Sequence, residues 1–288
     1  MPDNLFLAGG FNGLRMTSAD GRTWQPPTFG KEGEVCRGAA VGKGKLVTVG
    51  THGGNQIFAH STDGKTWQQT TRDGGYGGYV RSVGFIQEKF LALGGDPGAV
   101  GAANPYVLFS SDGEKWDAPH PISGKFMLRR LAFGNDLYVG VGDRGRRSVS
   151  PDAKVWKDVE KTKPTETLID IAFGNGVFVG VGLHSLRMVT RDGVTWSEPT
   201  LGEEGEHLNS ILWAKDRFVA IGAGVTFISR DGEKWERHVN RNAPTAAVYG
   251  NGVFVGAKWK GRLLISTDGI GWEETVQAEQ HVEAIGWG

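Results

Sequence analysis

Ser61-Thr62-Asp63-Gly64-Lys65-Thr66-Trp67 decides the fold, because its pattern, Ser/Thr-x-Asp-Gly/Ala-x-x-Trp, occurs seven times along the chain. The aspartates are Asp20, Asp63, Asp112, Asp152, Asp192, Asp231 and Asp268; the tryptophans are Trp24, Trp67, Trp116, Trp156, Trp196, Trp235 and Trp272. Successive tryptophans lie 43, 49, 40, 40, 39 and 37 residues apart, so one unit is about 40 residues long. A period of that size belongs to solenoids and propellers, where each copy supplies one supersecondary element. A motif present in every copy builds the copy. It speaks for architecture rather than for chemistry.

The unit from Thr167 to Thr200 shows what one copy must be. Leu168-Ile169-Asp170-Ile171-Ala172-Phe173 ends at Gly174-Asn175-Gly176; Val177 to Gly182, Leu186 to Thr190 and Val194 to Ser197 follow. Four short runs rich in Val, Ile and Phe, bounded by Gly, Asn and Asp, predict a four-stranded antiparallel meander. Asn175-Gly176 and Asp192-Gly193 suit two-residue type I′ turns, which need positive φ at both central positions. The repeated motif then lies at the hairpin between the third and fourth strands, where Asp and Ser/Thr accept turn amides. Ala153 replaces the glycine in one copy, and the cost of positive φ there predicts a different turn type.

The two ends of the chain predict ring closure. Residues Asn4 to Gly10 match a second strand, so the first unit lacks its first strand, and His281 to Trp287 match the missing one. The expected fold is all-β: a seven-bladed β-propeller of four-stranded antiparallel blades, closed by the C-terminal strand completing the N-terminal blade. Closure removes the sheet edges that an open array would present. One domain covers 1–288, with blades at about 281–288 plus 1–28, 33–72, 78–120, 125–160, 166–200, 206–240 and 243–276.

Composition excludes several classes of partner. Lysines plus arginines equal aspartates plus glutamates at 32 each, which argues against nucleic acid or an anionic membrane held by bulk charge. No apolar run reaches 18 residues, so no membrane insertion is expected. Cys36 is the single cysteine and reads as a small core residue. As written the chain reads as cytoplasmic, or as extracytoplasmic if an N-terminal signal has been removed, and a monomer is expected. The histidines form no ligand spacing, and no nucleotide-binding glycine pattern or nucleophile elbow occurs; no metal and no cofactor is expected.

The repeat resembles the Asp-box (BNR) repeat of bacterial sialidases and related propellers, over essentially the whole chain. Six copies have Asp and Gly adjacent where the family places one residue between them. The resemblance implies a structural hairpin at the blade periphery, away from any active site. The sialidase catalytic set is not matched: no Arg-Ile-Pro segment occurs, and no tyrosine is placed as the nucleophile of that family.

Candidate ligand-binding residues come from outside the repeat. Aligned starts of the first strands give a column of Arg37, Arg81, Arg129, Ile169, Asn209, Thr245 and Glu283 at the channel mouth. Arginine forks suit carboxylate, sulfate or phosphate; the bland alternative pairs each with Glu32, Glu34, Asp73 or Asp96. Strand alternation puts this column on one face with Ile171 and Phe173, which would aim the arginines between blades. Arg130 and Asp170, from neighbouring blades, are expected to pair. The longest connection between second and third strands, Gly94 to Tyr106, is a candidate binding loop, and Asp143-Arg144-Gly145-Arg146-Arg147 reads as a solvated basic turn. Trp259, between Lys258 and Lys260 and aligned with Phe11, sits in a loop with no repeat role.

These features favour a non-catalytic binding propeller, with a carbohydrate, a small anion or a protein segment held at the mouth opposite the hairpins. The alternative is a glycoside hydrolase or lyase on the same scaffold, using Glu283, Asp96 or Asp170. No catalytic residue is assigned.

Overall fold

The computed structural model describes residues 4–74, 78–96 and 103–288. The chain opens with β1 (Phe6–Gly10) and β2 (Arg15–Ser18). Blade two is β3 (Val35–Gly42), β4 (Lys45–His52), β5 (Asn55–Ser61) and β6 (Gln68–Arg72). Blade three is β7 (Val80–Ile86), β8 (Lys89–Gly94), β9 (Tyr106–Ser110) and β10 (His120–Pro121). Blade four is β11 (Leu128–Gly134), β12 (Leu137–Gly142), β13 (Arg147–Ser150) and β14 (Lys157–Asp158). Blade five holds β15 (Leu168–Gly174), β16 (Val177–Gly182) and β17 (Arg187–Thr190). Blade six is β18 (Leu208–Ala214), β19 (Arg217–Gly222), β20 (Gly224–Ser229) and β21 (Glu236–Asn240). Blade seven is β22 (Ala246–Gly250), β23 (Val253–Lys258), β24 (Arg262–Ser266) and β25 (Glu273–Gln277). The last strand, β26 (Val282–Trp287), returns to pair with β1 and closes the ring, with Phe6 opposite Trp287 and Ala8 opposite Ile285.

Burial follows position in the blade. Second strands such as β16 are buried throughout, because both faces meet neighbouring blades, while outer strands such as β6 are mostly exposed. Each hydrophobic cluster joins two blades: Val177, Val179 and Val181 of blade five pack with Leu208, Phe218 and Phe227 of blade six, and Trp235 lies against them. The repeat tryptophans therefore act as wedges between blades. Turns joining first and second strands also span the seams. Asn175 Nδ2 donates to Arg230 O at 3.2 Å, and Asn251 Nδ2 donates to Ala19 O at 2.8 Å across the closure seam.

The repeated hairpin has one hydrogen-bond plan. In blade two, Asp63 Oδ1 accepts from the amides of Lys65 and Thr66 and from the Ser61 hydroxyl, and Ser61 Oγ accepts from Gly64 N. These donors hold the Asp63 carboxyl down at about 2, from an ordinary 3.8. The other six aspartates are also lowered; at Asp192 and Asp268 burial opposes the shift and is outweighed.

Two turn expectations need correction. Asn175-Gly176 is a type I′ turn with φ of 47° and 74°, but in Asp192-Gly193 only Gly193 has positive φ. The hairpin there is wider, with Thr190 bridging Trp196. Ala153 does not change the turn type: it takes φ 61°, and Trp156 Nε1 still donates to its carbonyl at 2.7 Å. The seven-bladed plan also thins at two outer edges. In blade one the fourth strand is reduced to a bridge between Arg15 and Thr28, and in blade five to bridges at Arg187–Thr200 and Thr190–Trp196. Pro27 and Pro199 directly precede the threonines, and proline supplies no ladder N–H.

Candidate functional site

All seven members of the first-strand column line one cavity of about 580 Å³ at the channel mouth. Simple alternation does not aim them there; a β-bulge does. The pairing register slips between Cys36 and Gly38, Val80 and Ser82, Leu128 and Arg130, Leu168 and Asp170, and Leu208 and Ser210. In blade one it slips opposite Glu283. The skipped residues are thus Arg37, Arg81, Arg129, Ile169, Asn209 and Glu283, each re-aimed out of the pleat. Ile171 and Phe173 keep their inter-blade face, whereas the arginines line the cavity.

A glycine at or near the end of the second strand permits the close backbone approach at the bulge. A Cβ on Gly50, Gly142, Gly182 or Gly222 would lie only 1.9–2.1 Å from the carbonyl oxygen of Val35, Met127, Thr167 or His207. Blade seven has Lys258 at this position, and its register runs from Ala246 to Gly250 without a shift.

Three of the four mouth arginines face a carboxylate. Arg37 Nη1 lies 3.3 Å from Glu283 Oε1, Arg129 pairs with Asp143, and Arg130 Nε lies 4.0 Å from Asp170 Oδ1. Asp170 accepts the amides of Ile171 and Ile211, each at 2.9 Å. Burial pushes its carboxyl up, against the pull of Arg130. Arg81 differs. Its Nε, like that of Arg37, is buried without a hydrogen-bond partner among the described residues. Burial, with Arg129 and Arg130 beside it, pushes its guanidinium down to about 10. The cationic arc over blades two to four therefore carries one guanidinium in excess.

Of the expected loop partners, Glu34 is employed elsewhere. Glu34 pairs with Arg15 at 2.5 Å, the two side chains being 0% and 2% exposed. Arg15 also donates to Thr48 Oγ1 at 2.9 Å and lies 5.0 Å over the Trp67 ring of the next blade. Blade four repeats this latch with Arg147, Glu166 and Trp196. In blade five Arg187 stacks on Phe227 and Trp235, while Glu206 pairs with Arg237. The basic tip of blade four is not a solvated turn: Arg146 and Arg147 are buried, and Arg146 bonds Asp158 and the carbonyls of Ser123 and Phe126. The candidate loop from Gly94 to Tyr106 lies outside the described residues at 97–102.

The opposite rim is aromatic. Trp259 is 60% exposed, and its ring centroid lies 4.3 Å from that of His281. His281 meets Phe11 edge-on at 5.1 Å, and its Nε2 lies 3.4 Å from Glu283 Oε2. Burial lowers the imidazole, with Glu283 opposing. Cys36 is buried, which pushes its thiol up. Among the described residues, no group of three or more His, Cys, Asp or Glu is placed to hold a metal ion.

No protein-family model and no curated protein sequence matches the chain. Among solved structures it is similar to Ycf48 bound to a D1 peptide, at 17% identity over 92% of this chain and 90% of that one, with a TM-score of 0.62. It is similar to Ycf48 from Cyanidioschyzon merolae, at 15% identity over 87% of each chain, with a TM-score of 0.60. Sqt1 of Saccharomyces cerevisiae matches at 13% identity over 98% of this chain and 85% of that one, with a TM-score of 0.65. Likeness at these identities is a likeness of fold.

Proposed function

We propose that the protein is a non-catalytic interaction propeller whose channel mouth binds an acidic peptide segment, with Arg81 as the principal anion contact and Arg37 and Arg129 beside it. The observation that carries this reading is the surplus guanidinium: a largely buried Arg81 with an unpartnered Nε, pressed against two like charges in an open cavity. An incoming carboxylate relieves the repulsion and fills the fork with two parallel hydrogen bonds. That one propeller of the same fold holds a D1 peptide supports a peptide over a sugar. The state of the mouth carboxylates supports binding over hydrolysis. A glycosidase needs two working carboxyl groups about 5–10 Å apart, whereas Glu283, Asp143 and Asp170 are each held by an arginine. The repeated hairpins are read as a structural Asp-box variant, and the working unit as a monomer.

The test is fluorescence anisotropy with acidic, neutral and basic peptides, run beside a glycan array and free sulfate. Acidic peptides are expected to bind, and to weaken as salt rises. Arg81→Gln should lose about 10- to 100-fold, the worth of hydrogen bonds to a charged group. Equal binding of basic peptides, or an indifferent Arg81→Gln, overturns the reading. Glycan binding alone replaces it with a carbohydrate propeller.

A further inference from the structure

Resting on the acidic-peptide reading, we infer that the ligand carries a bulky apolar or aromatic side chain beside its acidic group, and that Trp259, tilted against His281, which in turn meets Phe11 edge-on, receives it. The residue that follows the second strand of each blade begins the connection to the third strand. In blades five, six, seven and one these residues are Leu183, Ala223, Trp259 and Phe11. Of these, Trp259 lines the same cavity as Arg37, Arg81 and Arg129, with His281 against it. A mouth with arginines over blades two to four and an exposed indole over blade seven matches a segment that carries both an acid and a bulky apolar side chain.

The shelf is built to stay open. The Trp259–Gly261 turn has a counterpart in Asp143–Gly145, each with a left-handed basic residue at its centre, Lys260 at φ 64° and Arg144 at φ 52°. In blade four the first residue of the turn, Asp143, neutralises Arg129. In blade seven the same position holds an indole that neutralises nothing and stays 60% exposed. Gly261 fixes the turn against the end of blade seven: a Cβ there would lie 2.4 Å from Gln280 O, next to His281. Lys258 does not project onto the ring, because its Nζ is bonded to Arg241 O at 3.1 Å and Asn242 Oδ1 at 3.3 Å. One face of Trp259 thus packs on His281 while the other is free and pre-positioned. Aromatic anchors of this kind order little on binding and dominate interface energetics. The ligand runs across the mouth in one direction, its acid over blades three and four and its apolar residue over blades seven and one.

The experiment is a cycle between ligand and protein. Paired peptides, acid with Phe and acid with Ala, are titrated by anisotropy against the native chain, Trp259→Ala and Arg81→Gln. On the native chain the Phe peptide is expected to bind about tenfold tighter, and that advantage should fall below about twofold on Trp259→Ala. Arg81→Gln should weaken both peptides alike and leave their ratio unchanged. Because Trp259 is exposed, folding is not at stake, and a native circular dichroism spectrum confirms it. A Phe advantage that survives Trp259→Ala, or no Phe advantage at all, overturns this inference while leaving the Arg81 reading in place. Peptides insensitive to Arg81→Gln overturn the reading beneath it. A glycan that alone depends on Trp259 makes the shelf a sugar platform, and the inference is then wrong.

Discussion

Replacing Glu34 by alanine tests the inter-blade latch, which carries the fold's largest local stake. Glu34 is 0% exposed and its partner Arg15 is 2% exposed, so Glu34→Ala leaves a guanidinium out of water without its counter-charge. Thr48 Oγ1 and Gly13 O still accept from it, but neither carries charge. Breaking a buried pair from one side costs about 3–5 kcal/mol. Unfolding entropy of about 2.1 cal/mol/K per residue gives about 600 cal/mol/K for the whole chain, so the melting temperature should fall by about 5–8 °C. Differential scanning calorimetry reads this directly. The companion variant Arg15→Met/Glu34→Leu removes both charges and should recover most of the loss, because the pair's desolvation is then no longer required. A Glu34→Ala melting temperature within about 2 °C of native would refute the reasoning, as would a double variant no better than the single one.

Acid should loosen the hairpins before the cores. The hairpin carboxyls are depressed in the folded state, Asp63 to about 2 from 3.8, so their contribution is complete above the unfolded value and is lost as pH falls through about 2. Melting temperature scanned between pH 6 and pH 2 should decline below about pH 4, and Asp63→Asn should flatten part of that decline; parallel curves for the two proteins contradict the assignment. Gly193→Ala should cost about 2–4 kcal/mol, since its Cβ would meet Val149 Cγ1 at 2.4 Å at a φ of 71°. Ala153→Gly should stay within about 0.5 kcal/mol, with relief of strain offset by a lost methyl; calorimetry of both variants decides. Removing residues 281–288 takes β26 from β1 and should either cost about 5 kcal/mol or more or yield edge-paired oligomers. An unchanged melting temperature with monomeric elution would mean that the ring does not depend on this strand.

The architecture was legible because one motif carries its own geometry seven times. Ser, Asp, Gly and Trp at fixed spacing each have a physical task in the hairpin, and the unmatched second strand at Asn4 to Gly10 points to its completion by His281 to Trp287. At Ala153 context outweighs propensity: its methyl is buried in the core between blades three and four, which holds the same turn. The column at the mouth was readable as a list but not as a direction. Alternation assumes an uninterrupted pleat, and the bulges that re-aim Arg37, Arg81 and Arg129 break it. A signal for the bulges exists in the glycines at or near the ends of the second strands, a position that Lys258 takes in blade seven. The latch also has a sequence signal, an arginine opening the third strand with a glutamate nineteen residues later, at Arg15–Glu34 and Arg147–Glu166. Arg81's isolation was not legible at all, since it depends on which neighbours Glu283, Asp143 and Asp170 prefer.

The mouth, with Arg81 within it, is proposed as the place where this propeller meets its partner. A crystal structure of the chain with the tightest acidic peptide tests it most directly. A carboxylate oxygen within about 3.2 Å of the Arg81 guanidinium, with the segment lying across the mouth, is the predicted result. A peptide seated along an outer strand such as β6, or on the face of the repeated hairpins, with the mouth left to solvent, would contradict the account.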